Sequence, residues 1–382
     1  MPMTNTSLAA RHSGRRPHDR ARATIAALLL CMLVGGAGAC SPDSLLGDKP
    51  LPPDVPDPTQ THTAAGAVAA YHGALVALRY AFAGRGESFV PVSGLLTDEL
   101  RYGDLGQLGA VDSPMLVDSR FMPEDPGVTS DSLTPFPITT VYGLLHKARG
   151  QAEEARGALL TYATDSSPAL VGHLDTIEGY ADVFLADLFC SGVPLSTLDY
   201  NGDFTYAAGS STEEVYEHAL ALFDSALTLS SDSEAVMNLA RLGKGRVLLD
   251  LGRYAEAAQA VADVPDDFRY AFEYDATDAD QGVSNDFSNR SFVYSDMRRA
   301  AGGGFPLTMA DTEGVNGLPY VSGGDPRTSW VVVDTNRYGH PRWRPEGLLE
   351  DGSGSVVLAS GIEARLIQAE AALQAGGADW LA

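Results

Sequence analysis

The stretch 212–262, TEEVYEHALALFDSALTLSSDSEAVMNLARLGKGRVLLDLGRYAEAAQAVA, decides the fold. Val215, Ala219, Leu222, Phe223 and Ala226 share one face at helical spacing, so Thr212 to Leu229 reads as an amphipathic helix. Ser211 ahead of Glu213 and Glu214 offers an N-cap followed by acids in the first turn. A second helix runs from Ser233 to Leu251, Gly252 stops it, and a third spans Arg253 to Ala262. The same period extends outward to Ala64–Ala83, Gly94–Tyr102, Thr139–Ala163, Ala169–Phe189 and, late in the chain, Ser360–Ala375. Gly, Pro, Ser and Asp fill the breaks.

Two of these units resemble the tetratricopeptide repeat. Ala219, Phe223 and Ala226 follow the A-x3-F-x2-A spacing of its second helix. Gly245, Leu248, Gly252, Tyr254, Ala257 and Val261 follow its G-x2-hydrophobe, G-x-Y and A-x3-hydrophobe pattern. Small residues there let antiparallel helices approach closely. A generic Ala-rich amphipathic bundle fits the same spacing, and both readings give stacked helical hairpins over about 64–264. Residues 265–355 differ: Gly, Pro, Asp and Asn alternate with scattered aromatics and short β-prone runs such as Ser329–Val333. The fold class is therefore mainly α, a tetratricopeptide-like hairpin scaffold carrying a loop-rich lobe, with a late helix over about 360–375.

At 382 residues the chain exceeds the roughly 250 to 300 at which one hydrophobic core stops growing, which suits such an extended assembly. Its 45% hydrophobic and 20% charged content excludes a disordered chain and a polytopic membrane protein. A formal charge of −24 repels phosphate backbones, so nucleic acid is not an expected partner.

The N-terminus reads as an export address. Five arginines between Arg11 and Arg22 precede the apolar run Ile25–Val34, too short to span a bilayer, and small residues then lead to Cys40. Ala37-Gly38-Ala39-Cys40 resembles the bacterial lipobox, in which the cysteine after the cut is acylated with fatty chains such as palmitate. Residues 1–39 are thus the expected signal peptide and Cys40 the lipid anchor, with Ser41 in place of an inner-membrane retention Asp favouring the outer membrane. Cleavage takes the charge from −24 to −28. Residues 40–63 hold six prolines and read as an extended tether, with the folded part running over 64–382. Cys31 leaves with the leader and Cys40 is capped, so Cys190 has no intramolecular disulfide partner and is expected to pack at its helix end.

Three further strings complete a resemblance. Leu188-Phe189-Cys190-Ser191-Gly192-Val193-Pro194-Leu195-Ser196 closes a long helix, Gly324-Asp325-Pro326-Arg327 lies in the loop-rich lobe, and Glu363-Ala364-Arg365-Leu366-Ile367-Gln368-Ala369-Glu370-Ala371 forms the late helix. With the lipobox, tether and hairpins, this ordered set resembles the SusD/RagB family of outer-membrane nutrient-binding lipoproteins. The resemblance implies a scaffold seated on a SusC-like TonB-dependent transporter, capturing oligosaccharides or other nutrients without a catalytic step or a cofactor. The family normally continues beyond the late helix, so the chain resembles a C-terminally truncated member. The alternative is a tetratricopeptide scaffold lipoprotein for envelope protein assembly that binds no small molecule.

Catalytic patterns are scarce. Glu153-Glu154 and Glu213-Glu214 fall on helix faces where charge serves solubility, and no G-x-S-x-G, H-E-x-x-H or P-loop occurs. No catalytic and no metal residue is expected: Asp275, Asp278 and Asp280 before Gly282 miss the calcium-loop spacing. Sugar binding needs aromatic faces for pyranose CH groups and polar planes for hydroxyls. The lobe supplies Tyr320, Trp330, Tyr338 and Trp343, with Asp325, Asn336, Arg337 and Arg342 close in sequence. Each aromatic can equally anchor the lobe's own core.

Overall fold

Helix α1 (Ala64–Ala83) packs against α3 (Pro137–Tyr162), which packs against α4 (Pro168–Leu188), which packs against α5 (Thr212–Leu229). The array continues through α6 (Glu234–Asp250) and α7 (Tyr254–Ala260) to α8 (Gly361–Gln374), and α4 also touches α1 and α6. The short α2 (Phe89–Leu96) closes one end against α1 and α3. This is a computed structural model, and it describes residues 62–84, 88–102, 137–198, 204–274, 307–312, 317–326, 329–335, 341–345 and 354–376. The expected signal peptide (1–39), Cys40, nearly all of the expected tether, Asp275, Asp278, Asp280, Asn336, Arg337 and Tyr338 lie outside the described residues. Among the described residues no helix is long and apolar enough to cross a membrane.

The helix ends follow local chemistry. Ser211 caps α5 through a reciprocal box, its hydroxyl accepting from the Glu214 N–H at 3.2 Å while its own N–H donates to Glu214 Oε2 at 2.7 Å. Gly252 adopts φ +71°, the left-handed region that a side chain disfavours, and this reverses the chain between α6 and α7. Between the layers the small residues leave room for neighbours. A Cβ at Gly243 would stand 2.3 Å from the Phe223 ring, and one at Gly245 would stand 2.4 Å from Val261. Ala219, Phe223, Ala226, Ala257 and Val261 are fully buried, so the repeat-like positions form the interhelical seam.

Two expectations change. The helix expected over Gly94–Tyr102 instead ends at Leu96, and Leu100–Tyr102 form strand β1. Asp98 breaks it by turning left-handed at φ +59°, which frees the next residues to pair with a strand far away in sequence. Cys190 is exposed and does not pack. The reason is local: α4 stops at Leu188 and Phe189 takes extended backbone, so Cys190 leaves the helical face before it can turn inward.

Short antiparallel pairs hold the segments between and beyond the helices. Strand β2 (Val193–Pro194) pairs with β5 (Gly209–Ser210), and β3 (Thr197–Leu198) with β4 (Phe204–Thr205). Strand β6 (Arg269–Tyr274) pairs with β10 (Gly354–Ser360), which delivers the chain into α8. The lobe is built from β1, β7 (Leu307–Met309), β8 (Trp330–Thr335) and β9 (Pro341–Pro345).

A buried relay locks α1, α4 and β6 together. The Tyr71 hydroxyl meets His173 Nδ1 at 2.8 Å, and His173 Nε2 meets the Tyr270 hydroxyl at 2.9 Å. A neutral imidazole offers one donor and one acceptor, which suits two phenols. Burial drives its pKa from 6.5 down to about 4, so the unfolded chain binds the proton first and His173 costs stability as pH falls below 6.5. The variant His173→Gln keeps two polar ends but does not titrate. Its urea stability relative to wild type is expected to improve by about 2 kcal/mol between pH 7.5 and pH 5. A pH-independent difference would mean that His173 is not held neutral.

Candidate functional site

Three fragments of distant sequence build the lobe. Strand β1 pairs with β7 in the register Leu100↔Met309, Arg101↔Thr308 and Tyr102↔Leu307. Strands β8 and β9 form a second antiparallel ladder in which Trp330 opposes Pro345 and Val332 opposes Trp343. Thr308 staples the two ladders: its hydroxyl accepts from the Trp343 N–H at 2.8 Å and donates to the Trp343 carbonyl at 3.1 Å.

The staple sets the position of two tryptophans. Trp330 and Trp343 lie edge to face, with ring centroids 6.0 Å apart and planes at 76°. Both are half-buried. The Trp330 indole N–H donates to the Val321 carbonyl at 3.2 Å, and the Arg101 guanidinium lies 5.8 Å from the centre of the Trp343 ring. An aromatic pair of this geometry with a cation over one ring is a fixed platform, worth roughly 0.5–1.5 kcal/mol beyond its buried area.

The neighbouring turn is pinned as firmly. Asp311 accepts from the Val321 N–H at 3.2 Å, the Ser322 N–H at 3.0 Å and the Ser322 hydroxyl at 3.0 Å, and these bonds hold its carboxyl below the usual range. Half-buried Tyr320 begins this turn. Burial, and then the charges of Glu99 and Asp98, hold its phenol above its ordinary pKa of 10. Asp98 and Thr312, at φ +59° and +58°, flank the β1–β7 ladder at one end. For a β-branched residue such as Thr312 that conformation is strained, and strain of this kind gathers where a fold fixes a site in advance.

Of the four aromatics read from the sequence, Trp330 and Trp343 come together, Tyr320 stands in the adjoining turn that holds the Trp330 indole, and Tyr338 lies outside the described residues. Arg101, Thr308, Asp311 and the Asp98–Glu99 pair were not expected. Nothing local marks them, because their relation to the tryptophans exists only after β1 crosses to β7. What the assembled surface can do is stack a flat apolar ring and hydrogen-bond a polar rim. Among the described residues no group of three or more His, Cys, Asp or Glu is placed to hold a metal ion.

No family model matches the sequence, and no curated protein does. Solved structures do match. A SusD-like carbohydrate binding protein from Bacteroides vulgatus aligns with 83% of this chain and 73% of its own, at TM-score 0.56 and 13% identity. The chain has a SusD-like fold. A SusD superfamily protein from the same organism agrees, at TM-score 0.51 and 13% identity over 82% of this chain and 76% of its own. In this SusD-like fold the tryptophan pair belongs to the irregular lobe beside the helical array.

Proposed function

We propose that this chain is a non-catalytic, lipid-anchored outer-membrane protein that captures an oligosaccharide or a similar nutrient and passes it to a SusC-like TonB-dependent transporter. The observation that carries the reading is the Trp330–Trp343 pair with Arg101 over one indole, on a fold shared with a protein described as carbohydrate binding. Half-buried indoles present flat apolar area for pyranose CH faces, and the Asp98–Glu99 side of the turn supplies acceptors for hydroxyls. Cys40, by its lipobox context, is the anchor, and the proline-rich residues 41–63 are the spacer.

A glycan array followed by titration calorimetry on the soluble chain lacking its leader tests this. A bound oligosaccharide is expected to be recovered uncut, and Trp330→Ala or Trp343→Ala to weaken it roughly 10- to 100-fold, the loss typical of a central aromatic contact. Circular dichroism checks that each variant folds. Wild-type affinity in both folded variants would remove the tryptophans from the site. Gentle detergent extraction of the full-length protein is expected to bring a TonB-dependent barrel with it. Recovery of unfolded barrel precursors, together with an empty glycan array, would favour the envelope-assembly scaffold.

A further inference from the structure

A cavity lies among the helices, outside the lobe. It is a groove of about 560 Å³ among α3, α4 and α5, walled by Leu159, Leu160, Ala163, Val171, Leu222 and Leu229. Leu160 at its edge is 61% exposed, on a helix that packs against α1 on one side and α4 on the other. Arg156 also lines it, with Asp175 and Ser225 beside it.

The arginine is fixed in advance. Its Nη1 bonds Asp175 Oδ1 at 2.7 Å and lies 2.9 Å from Glu178 Oε2, and the Ser225 hydroxyl holds Asp175 Oδ2 at 2.6 Å. All of these contacts use one nitrogen. Nε and Nη2 donate to no described residue, and the side chain is 25% exposed. Those two N–H groups form the side-on fork that matches the two oxygens of a carboxylate, and a guanidinium already immobilised loses little entropy when it binds one. Four hydroxyl side chains, Thr164, Ser166, Ser167 and Ser225, also line the groove, but Ser225 is committed to Asp175 and Ser167 to Asp232 and the Ala169 N–H. The wall between them and Arg156 is aliphatic, so the complementary ligand is a carboxylate on an apolar tail rather than a sugar.

We propose that the α3–α4–α5 groove is a second ligand site that takes a monocarboxylic acid with an unbranched aliphatic tail, the head on Arg156 and the tail along Leu159, Val171, Leu222 and Leu229. A groove of this volume suits a tail of about eight to twelve carbons. Its occupancy is independent of the tryptophan lobe.

Titration calorimetry of the soluble chain with sodium decanoate, and with decanol as the headless control, tests the assignment. Decanoate is expected to bind at least 10-fold more tightly than decanol, and Arg156→Gln to erase that preference. Because Arg156 also serves the ion network, Leu160→Glu is the companion variant. It changes an exposed rim residue, leaves that network intact and is expected to weaken decanoate at least 10-fold by placing a like charge at the mouth. Equal binding of decanoate and decanol to wild type, unchanged decanoate affinity in folded Leu160→Glu, or no binding of either probe below 1 mM each overturns the proposal.

Discussion

Arg149→Met is expected to destabilise the fold by roughly 3–5 kcal/mol at pH 8, the cost of removing one partner from a buried charge pair. The guanidinium is 3% exposed and lies between two carboxylates of α4, with Nε 3.2 Å from Asp182 Oδ1 and Nη2 3.7 Å from Glu178 Oε1. The first contact is an ion pair whose angle falls short of a hydrogen bond, so the attraction is chiefly charge on charge. Methionine matches much of the volume and none of the charge. Asp182 keeps His218, whose Nδ1 is 2.7 Å away, and Glu178 keeps Arg156, but the net balance of the layer shifts by a full unit.

The pH dependence of that loss tests whether the layer is charged. Burial, opposed by Arg156 and Arg149, already pushes the Glu178 carboxyl up to about 7. Groups facing it are Arg149, Glu153 and Arg156 from α3, Asp175 and Asp182 from its own helix, and His218 from α5. Removing a cation raises Glu178 further. A folded pKa above the unfolded value contributes stability that is present below about 4.5 and lost as pH rises through the folded value. The deficit of Arg149→Met is therefore expected to shrink between pH 8 and pH 5.5, where Glu178 is protonated in the folded state. Urea titrations of variant and wild type at both values measure it, and taking their difference cancels the opposite slope of His173. A deficit below 1 kcal/mol at pH 8, or one that does not change with pH, would mean that the cluster is not charged as described.

This charged layer also shows where the sequence is hard to read. Helix α4 carries Asp175, Glu178 and Asp182 at intervals of three and four, a pattern that normally marks a solvent face, yet all three are buried. They are buried because Arg149 and Arg156, two turns apart on α3, meet them, and one helix in isolation cannot reveal that its polar stripe has a partner. The capped α5 and the Gly252 stop were legible because caps and periodicity are local. The lobe was legible only as composition. Trp330 and Trp343 stand out as aromatics in an irregular region, whereas Arg101 joins them through a strand pairing that spans most of the chain. Asp98, where the expected helix fails, is the same residue whose turn makes that pairing possible.

Phe223→Ala is expected to cost roughly 3–5 kcal/mol, the range for emptying a fully enclosed aromatic site. The ring is 0% exposed, edge-on to Tyr180 at 5.4 Å, and enclosed by two glycines, since a Cβ at Gly179 or Gly243 would stand 2.9 or 2.3 Å from it. Three helices meet there, with α4 supplying Gly179 and Tyr180 and α6 supplying Gly243. The repeat-like packing thus depends on one large ring seated against two residues without side chains. That dependence predicts coupling. Gly243→Ala alone is expected to destabilise by roughly 1–3 kcal/mol, because the new methyl group overpacks the ring. In a Phe223→Leu background the methyl group enters space that the ring has left, so the double variant is expected to be more stable than the sum of the singles by 1 kcal/mol or more. Guanidinium titrations of the four proteins give the coupling directly. Additive losses would show that the glycine is tolerated for its backbone and not for the approach of Phe223, and the tetratricopeptide-like seam would then lie elsewhere between α5 and α6.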